Sequence, residues 1–386
     1  MKILHLIMDE KFPDSAYEFF EAVDPGESTY MLADKYSPIR HLEKINPVRV
    51  SKYAFWDPRF IKSLEGYDAI ILHSLHPFAL EIIARVRISM PVLWIGMGYD
   101  YYDLLTNAPS DLLKARTKRI HNPTGRLPKK SPFKILKGIV RRAVYPNALR
   151  KKALIKRIDL FAPVLESEYP LIKSALNAPF PEYVRWNYGK IADLIDGELG
   201  NKHVTDKNIL VGNSASATNN HLDAFDILAK VGIPEGSKVI VPLSYGDTEY
   251  REKVIAEGRR LFGNQFQPIT EFMAMEQYID LLSTCSSVVM NHLRQQAAGN
   301  LFITLYLGAK VFLDPKNPLY EEFSNMGLVI NELSGLGGEK LDEALSPEQL
   351  ASQKTILKAA RGRAAFEQNT RNVIAELAQL KLEKAD

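Results

Sequence analysis

Six short apolar runs recur in the second half of the chain with helical stretches between them, and that rhythm restricts the possible folds more than any other feature. The runs are Ile209 to Val211, Lys238 to Leu243, Gln267 to Thr270, Ser287 to Met290, Val311 to Leu313 and Leu328 to Ile330. Segments such as "DTEYREKVIAEGRRLF" and "MEQYIDLLSTC" fill the gaps with helical patterns. Strands that alternate with helices make βαβ units, and these assemble parallel sheets. The first half repeats the pattern less regularly, with strands expected at Ile3 to Ile7, Ala69 to His73, Val92 to Ile95 and Leu160 to Val164. A chain of 386 residues exceeds one ordinary core. The expected fold is α/β, two Rossmann-like doubly wound domains facing across a cleft. Residues 1–200 form the first domain and 205–365 the second. The polar stretch "DGELGNKHVTDKN", residues 196–208, is the expected hinge. A helical pattern runs from Pro347 to the end, and residues 366–386 are expected to pack back toward the first domain.

Charge is distributed unevenly. Sixteen Lys and Arg and no Asp or Glu lie between Leu112 and Arg157, leaving 33 basic against 46 acidic residues elsewhere. Within this basic insert, 112–157, the stretch "FKILKGIVRRAV" places Phe133, Ile135, Leu136, Ile139, Val140, Ala143 and Val144 on one half of a helical wheel. Lys134, Lys137, Arg141 and Arg142 fill the other half. Such a helix suits an anionic membrane surface. A helix packed on the first domain is the plainer reading. Stacking aromatics are sparse there, and a nucleic-acid partner is not expected. No run approaches the ~20 apolar residues of a spanning helix, and "MKILHLIMDEKF" is too short an apolar run for a signal peptide. The single cysteine, Cys285, fits a reducing compartment. The expected location is the cytoplasm, peripheral to a membrane.

Ligands of open parallel sheets bind beyond the carboxyl ends of the strands. Three second-half loops carry suitable chemistry there. The first, "GNSASATNNH", runs from Gly212 to His221 and offers Asn213, Ser214 and Asn219. The second has Ser244 and Tyr245 at the end of a strand. In the third, Arg294, Gln295 and Gln296 precede Gly299 and Asn300, which open an apolar helix. A helix amino terminus offers unpaired N–H groups to a diphosphate, and small residues permit close approach. Arg294 adds a charge-assisted contact and the glutamines can bind sugar hydroxyls. No Asp-x-Asp pair occurs, and His and Cys spacing gives no metal site. No metal and no other cofactor is expected.

The chain resembles the bacterial 4-acetamido-4,6-dideoxygalactosyl (Fuc4NAc) transferases, glycosyltransferase family 56. The likeness rests on "ILVGNS" with Asn219 and His221, "VPLSYG", Tyr278, Leu282, "RQQ", Gly299 and Asn317-Pro318. In the first half it includes Trp94, Gly98, Asp100, Tyr102 and Leu104. The resemblance implies a GT-B type glycosyltransferase. Its donor would be a dTDP- or UDP-sugar and its acceptor a lipid-linked glycan, in surface polysaccharide synthesis at the cytoplasmic face of the inner membrane. It also implies that Asn213, Ser214 and Asn219 lie near the diphosphate or sugar.

Glycosyl transfer can require a base for the acceptor hydroxyl. Asp100, after the strand "VLWI", is the first candidate, Asp103 the second, and His73 at another strand end the third. Asp100 as a helix cap and His73 as a structural histidine are the bland readings. The rival functions are a sugar-nucleotide epimerase or hydrolase of the same architecture, and a non-catalytic membrane-recruited scaffold. The basic insert disfavours the former, and the Arg294–Gly299 loop disfavours the latter.

Overall fold

The computed structural model describes residues 1–87, 89–106, 108–121, 144–176, 179–342 and 345–385. The chain divides into two compact units. Met1–Leu105, Pro128–Lys190 and Arg363–Asp386 form one, and Thr106–Leu127 with Ile191–Gly362 form the other.

The first unit is built on β1 (Ile3–Ile7), β2 (Ser28–Leu32), β3 (Val48–Arg49), β4 (Ala69–His73), β5 (Val92–Ile95), β6 (Leu160–Ala162) and β7 (Glu182–Tyr183). All pairings are parallel, in the order β3-β2-β1-β4-β5-β6-β7. Alternate residues feed cores on the two faces. Leu4, Leu6, Ile70, Leu72 and Trp94 join one, and Ile3, Ala69, Ile71, Leu93 and Ile95 the other. Burial on both faces is why these strands read as unbroken apolar runs.

The second unit has β8 (Asn208–Val211), β9 (Val239–Pro242), β10 (Phe266–Ile269), β11 (Cys285–Met290), β12 (Lys310–Leu313) and β13 (Ile330–Glu332). They too are parallel, in the order β10-β9-β8-β11-β12-β13. Both sheets are doubly wound. Their order reverses between β1 and β4 in one and between β8 and β11 in the other.

The units depart from the expected domain limits in three places. Residues 106–121 group with the second unit, because its side chains hold them. Asn220 Oδ1 accepts the Lys114 N–H at 2.8 Å, and the Asp223 carboxylate accepts the Arg116 and Thr117 N–H groups at 2.9 Å each. Arg116 also pairs with Asp226 and Glu257. The expected hinge, 196–208, lies inside the second unit, where Val204 N–H donates to Leu307 O and Thr205 N–H to Ser283 O. The terminal helical pattern breaks at Gly362 into Pro347–Arg361 and Arg363–Glu383. The last helix belongs to the first unit and buries Phe366, Val373 and Leu377, about 1.5–3 kcal/mol for each large side chain. Trp186 Nε1–H donates to its Thr370 Oγ1 at 3.0 Å.

The basic insert is integral to the fold at both described ends. Leu154 and Ile155 are core residues, and Lys151 pairs with Asp103 at 2.6 Å. The amphipathic stretch 133–144 lies, apart from Val144, outside the described residues. Among the described residues no helix is long and apolar enough to cross a membrane.

Candidate functional site

In the second unit the loops after β8, β9 and β11 meet where the strand order reverses. Gly212 follows β8 with φ 69°, and a Cβ there would lie 2.6 Å from His221 Nε2 and 2.8 Å from Asn219 Oδ1. Glycine's missing side chain is what lets the loop fold over these two residues. Asn219, 1% exposed, is the hub. Its Oδ1 accepts the Asn213 N–H at 2.9 Å and faces His292 Nε2 at 2.8 Å. Its Nδ2–H donates to Ser214 O, Ser214 Oγ and Ser216 O. Asn220 takes the left-handed conformation, φ 52°, that asparagine tolerates. Its Nδ2–H donates to Asn291 O at 3.0 Å, and Asn291 Nδ2–H returns a bond to Asn220 O.

The network reaches the surface through Asn213. Its Nδ2–H donates to Tyr245 OH at 2.8 Å, and its Oδ1 accepts from Gln296 Nε2 at 2.9 Å. Thr218 Oγ1–H donates to Gln296 Oε1 at 2.7 Å, so both ends of that amide are oriented by the protein. Ala215 N–H donates to Tyr245 O at 2.7 Å, tying the β8 and β9 loops together. Tyr245, beside half-buried Ser244, is 50% exposed and stacks near Phe272 with ring centroids 6.2 Å apart. Burial raises the Tyr245 phenol above its ordinary value, so it stays a hydrogen-bond donor at neutral pH.

Helix Ala298–Leu307 starts just beyond Gln296. Its N-cap, Ala297, is left-handed at φ 63° and supplies no side-chain cap. A Cβ at Gly299 would meet no protein atom within 4 Å. Packing therefore gives no reason for a glycine at this helix start. Asn300 Nδ2–H donates to Tyr278 OH at 2.9 Å, and Arg294, half-buried, donates from Nη1 to Gln295 O at 3.2 Å. The sequence-predicted residues Gly212, Asn213, Ser214, Asn219, Tyr245 and Gln296 thus form one connected group. Arg294, Gln295, Gly299 and Asn300 flank it on the same loop and helix.

Sequence reasoning missed several members. Lys114 pairs with Asp314 at 2.5 Å and donates to Asn291 Oδ1. Asn291 and His292 close the crevice from the β11 side. Asn291 lies 71 residues from Asn220 and 177 from Lys114, so no local pattern announces these contacts. Burial, with His221, Arg294 and Lys114 adding to it, holds His292 well below the usual histidine value. Among the described residues, no group of three His, Cys, Asp or Glu is placed to hold a metal ion.

In the first unit the corresponding crevice is lined differently. His5 Nδ1 lies 3.0 Å from His73 Nε2, and His73 Nδ1 lies 2.7 Å from Tyr188 OH. Burial, reinforced by His76, pushes His73 down to about 3. Asp100 is 6% exposed. Its Oδ2 accepts from Leu75 N–H at 2.9 Å and Trp94 Nε1–H at 2.8 Å, and its Oδ1 from Met97 N–H at 2.8 Å. Both oxygens thus join the loops after β4 and β5. Asp103 is exposed and bound to Lys151. Glu10, just past β1, accepts from Tyr99 OH at 3.3 Å. It stands beside this group, and the sequence reading passed over it.

Residues 195–369 match the family described as 4-alpha-L-fucosyltransferase, glycosyl transferase group 56. Solved structures share the fold at low identity. HepE of Anabaena, in complex with UDP and glucose, is 13% identical over 97% of this chain and 99% of its own, with a TM-score of 0.59. Sucrose-phosphate synthase of Thermosynechococcus elongatus is 11% identical over 98% and 100%, with a TM-score of 0.61. A UDP-forming trehalose-phosphate synthase of Burkholderia xenovorans is 11% identical over 98% and 100%, with a TM-score of 0.58. Two parallel doubly wound units, these neighbours and the family match agree: the chain is a glycosyltransferase of GT-B fold whose residues 195–369 match glycosyl transferase group 56.

Proposed function

We propose that the protein transfers a deoxyamino sugar, Fuc4NAc or a close analogue, from a dTDP- or UDP-linked donor to a polyprenyl-diphosphate-linked glycan. The reaction serves bacterial surface polysaccharide synthesis at the cytoplasmic face of the inner membrane, where the protein is peripheral. The observation that carries this reading is the oriented amide network at the β8–β11 crevice, which leads to an uncapped helix start where Gly299 leaves open space. The diphosphate lies there against backbone N–H groups, with Arg294 adding its charge. The Tyr245 and Phe272 rings present a face to the nucleobase. UDP in the HepE complex supports a nucleotide donor, and the 16 cations between Leu112 and Arg157 support an anionic membrane. The donor phosphates are held without a metal.

Thermal unfolding against a panel of nucleotide sugars tests the donor, because a ligand of the folded state alone raises Tm. A dTDP- or UDP-linked 4-acetamido-4,6-dideoxy sugar is expected to give the largest rise and to be transferred to a short-chain prenyl-diphosphate glycan in excess chelator. A larger rise with an ordinary hexose donor overturns the sugar assignment. A strict need for divalent ions overturns the metal-free site.

A further inference from the structure

The acidic side chains at the crevice of the first sheet divide by what holds them. Asp9 accepts N–H groups from Arg40, His41 and Leu42, at 2.8, 2.9 and 3.3 Å, and fastens that loop. Asp100 uses both oxygens on three protein donors. Glu10 differs. It is half-buried, its Oε1 receives only the Tyr99 phenol, and among the described residues its Oε2 has no hydrogen-bond partner. It follows β1 at the point where the strand order reverses toward β4, the position at which open parallel sheets take their ligands.

Its surroundings look built for a ligand with hydroxyl groups. Tyr99 is 54% and Phe12 43% exposed, and the Phe12 ring lies 5.3 Å from that of Tyr188. Aromatic faces beside a carboxylate suit the C–H and O–H surfaces of a sugar. Ser74, fully buried at the end of β4, is held at φ 87°, in the left-handed region that a serine rarely adopts. Its hydroxyl sits beside Tyr99. Strain of this kind gathers at functional sites.

We propose that Glu10 binds the acceptor hydroxyl and takes its proton during glycosyl transfer, with Tyr99 positioning the carboxylate. The acceptor oxygen forms a bond to the anomeric carbon. The bond from that carbon to the donor diphosphate breaks, its electron pair leaving on the diphosphate. The hydroxyl proton ends on Glu10. Burial holds the Glu10 carboxyl above its ordinary range and Asp100 adds to this, while the Tyr99 hydrogen bond and His41 oppose it. Tyr188 faces the same group from the loop after β7. A raised carboxyl is a stronger base once ionised.

The inference rests on the glycosyl-transfer reading, and one set of measurements separates the two. Glu10→Gln is expected to lower kcat by about 10²–10⁴ while leaving dTDP and UDP affinity within about twofold. Wild-type kcat/KM should rise with pH through a group above the ordinary glutamate value, and Glu10→Gln should lose that limb. Glu10→Asp, which keeps the carboxylate but withdraws it, should retain an intermediate rate. Near-normal turnover of Glu10→Gln, or an unaltered acid limb, overturns the proposal and leaves the transferase reading intact. Carboxyl NMR titration of Glu10, with and without methyl glycosides, reads the site directly even where the chosen acceptor is not used. An ordinary glutamate value that no glycoside perturbs also overturns it.

Discussion

Both sheets reverse their strand order at the same topological point, yet the two crevices are filled with different chemistry. In the second unit the groups are mostly primary amides: Asn213, Asn219, Asn220, Asn291 and Gln296. In the first unit they are imidazoles and a phenol, His5, His73 and Tyr188, with Glu10 and Asp100 close by. An amide carries a donor and an acceptor at every pH, so a network of amides fixes its loops without titrating. In the first unit burial keeps His5 and His73 below the ordinary histidine value, and Glu10 is a carboxylate that can take up a proton. The difference accords with the roles proposed for them, a diphosphate site in the second unit and a proton acceptor, Glu10, in the first.

The comparison breaks most readily at the hubs. Asn219 makes five side-chain hydrogen bonds and His73 two, so their loss should differ in size. Asn219→Leu leaves several buried groups unpaired at roughly 1–3 kcal/mol each, and about 3–5 kcal/mol is expected in total. For His73→Leu about 1–3 kcal/mol is expected on the same grounds. Native-state hydrogen exchange of the β8 and β11 amides against those of β1 and β4 reads each unit separately. Equal losses would show that the amide network is no stiffer than the histidine pair.

Next in size is the anion chemistry assigned to the second unit. Arg294→Ala is expected to weaken nucleoside-diphosphate binding by about 1.5–3 kcal/mol and to leave nucleoside binding nearly unchanged. Calorimetric titration with both ligands measures this. An equal change for the two would place Arg294 away from the phosphates.

How far the sequence revealed these crevices follows from how local each signal is. β8, β9 and β12 are buried along their length, and β11 everywhere but Ser286, and their apolar runs are legible. β2 opens with half-exposed Ser28 and Thr29, while β3 and β7 have two residues each, too few for any period. The polar run 196–208 looked like a linker because its backbone bonds go to Leu307 and Ser283, which composition does not show. Asn219, Tyr245 and Gln296 stood out as polar residues after strands. Asn291, His292 and Lys114 did not, since their roles depend on partners across the crevice. Glu10 lies in the stretch "MKILHLIMDEKF", where the sequence shows only a short apolar run. Asp100 reads from the sequence as a base or a helix cap, and its oxygens accept from three protein donors that composition does not show.

Acid should separate the units further. Burial holds His5, His73 and His76 in the first unit, and His221 and His292 in the second, below the ordinary histidine value. The unfolded chain therefore binds more protons below pH ~6.5, and stability rises with pH in that range. Lowering the pH from 7 toward 4 should destabilise both units, and the first, with three such rings, more steeply. Hydrogen exchange at pH 7 and 5 checks the order. A flat response in the first unit would mean that its histidines open to water without cost.

The smallest effect expected is at Gly299, and its sign is informative. A Cβ at this position meets no protein atom within 4 Å. Alanine replaces glycine in the first turn of a helix, where reduced freedom of the unfolded chain favours the fold by about 0.4–1 kcal/mol. Gly299→Ala should therefore leave the second unit equally or slightly more stable. A phosphate resting on the helix start would be held off by the new methyl group, so diphosphate affinity should fall as the fold gains. Opposite signs, read by thermal unfolding and by calorimetry on one variant, separate a glycine kept for its ligand from one kept for its backbone. If stability rises and diphosphate affinity does not change, the phosphates do not approach this helix, and the amide network of the second unit would be a structural brace like the histidine pair of the first.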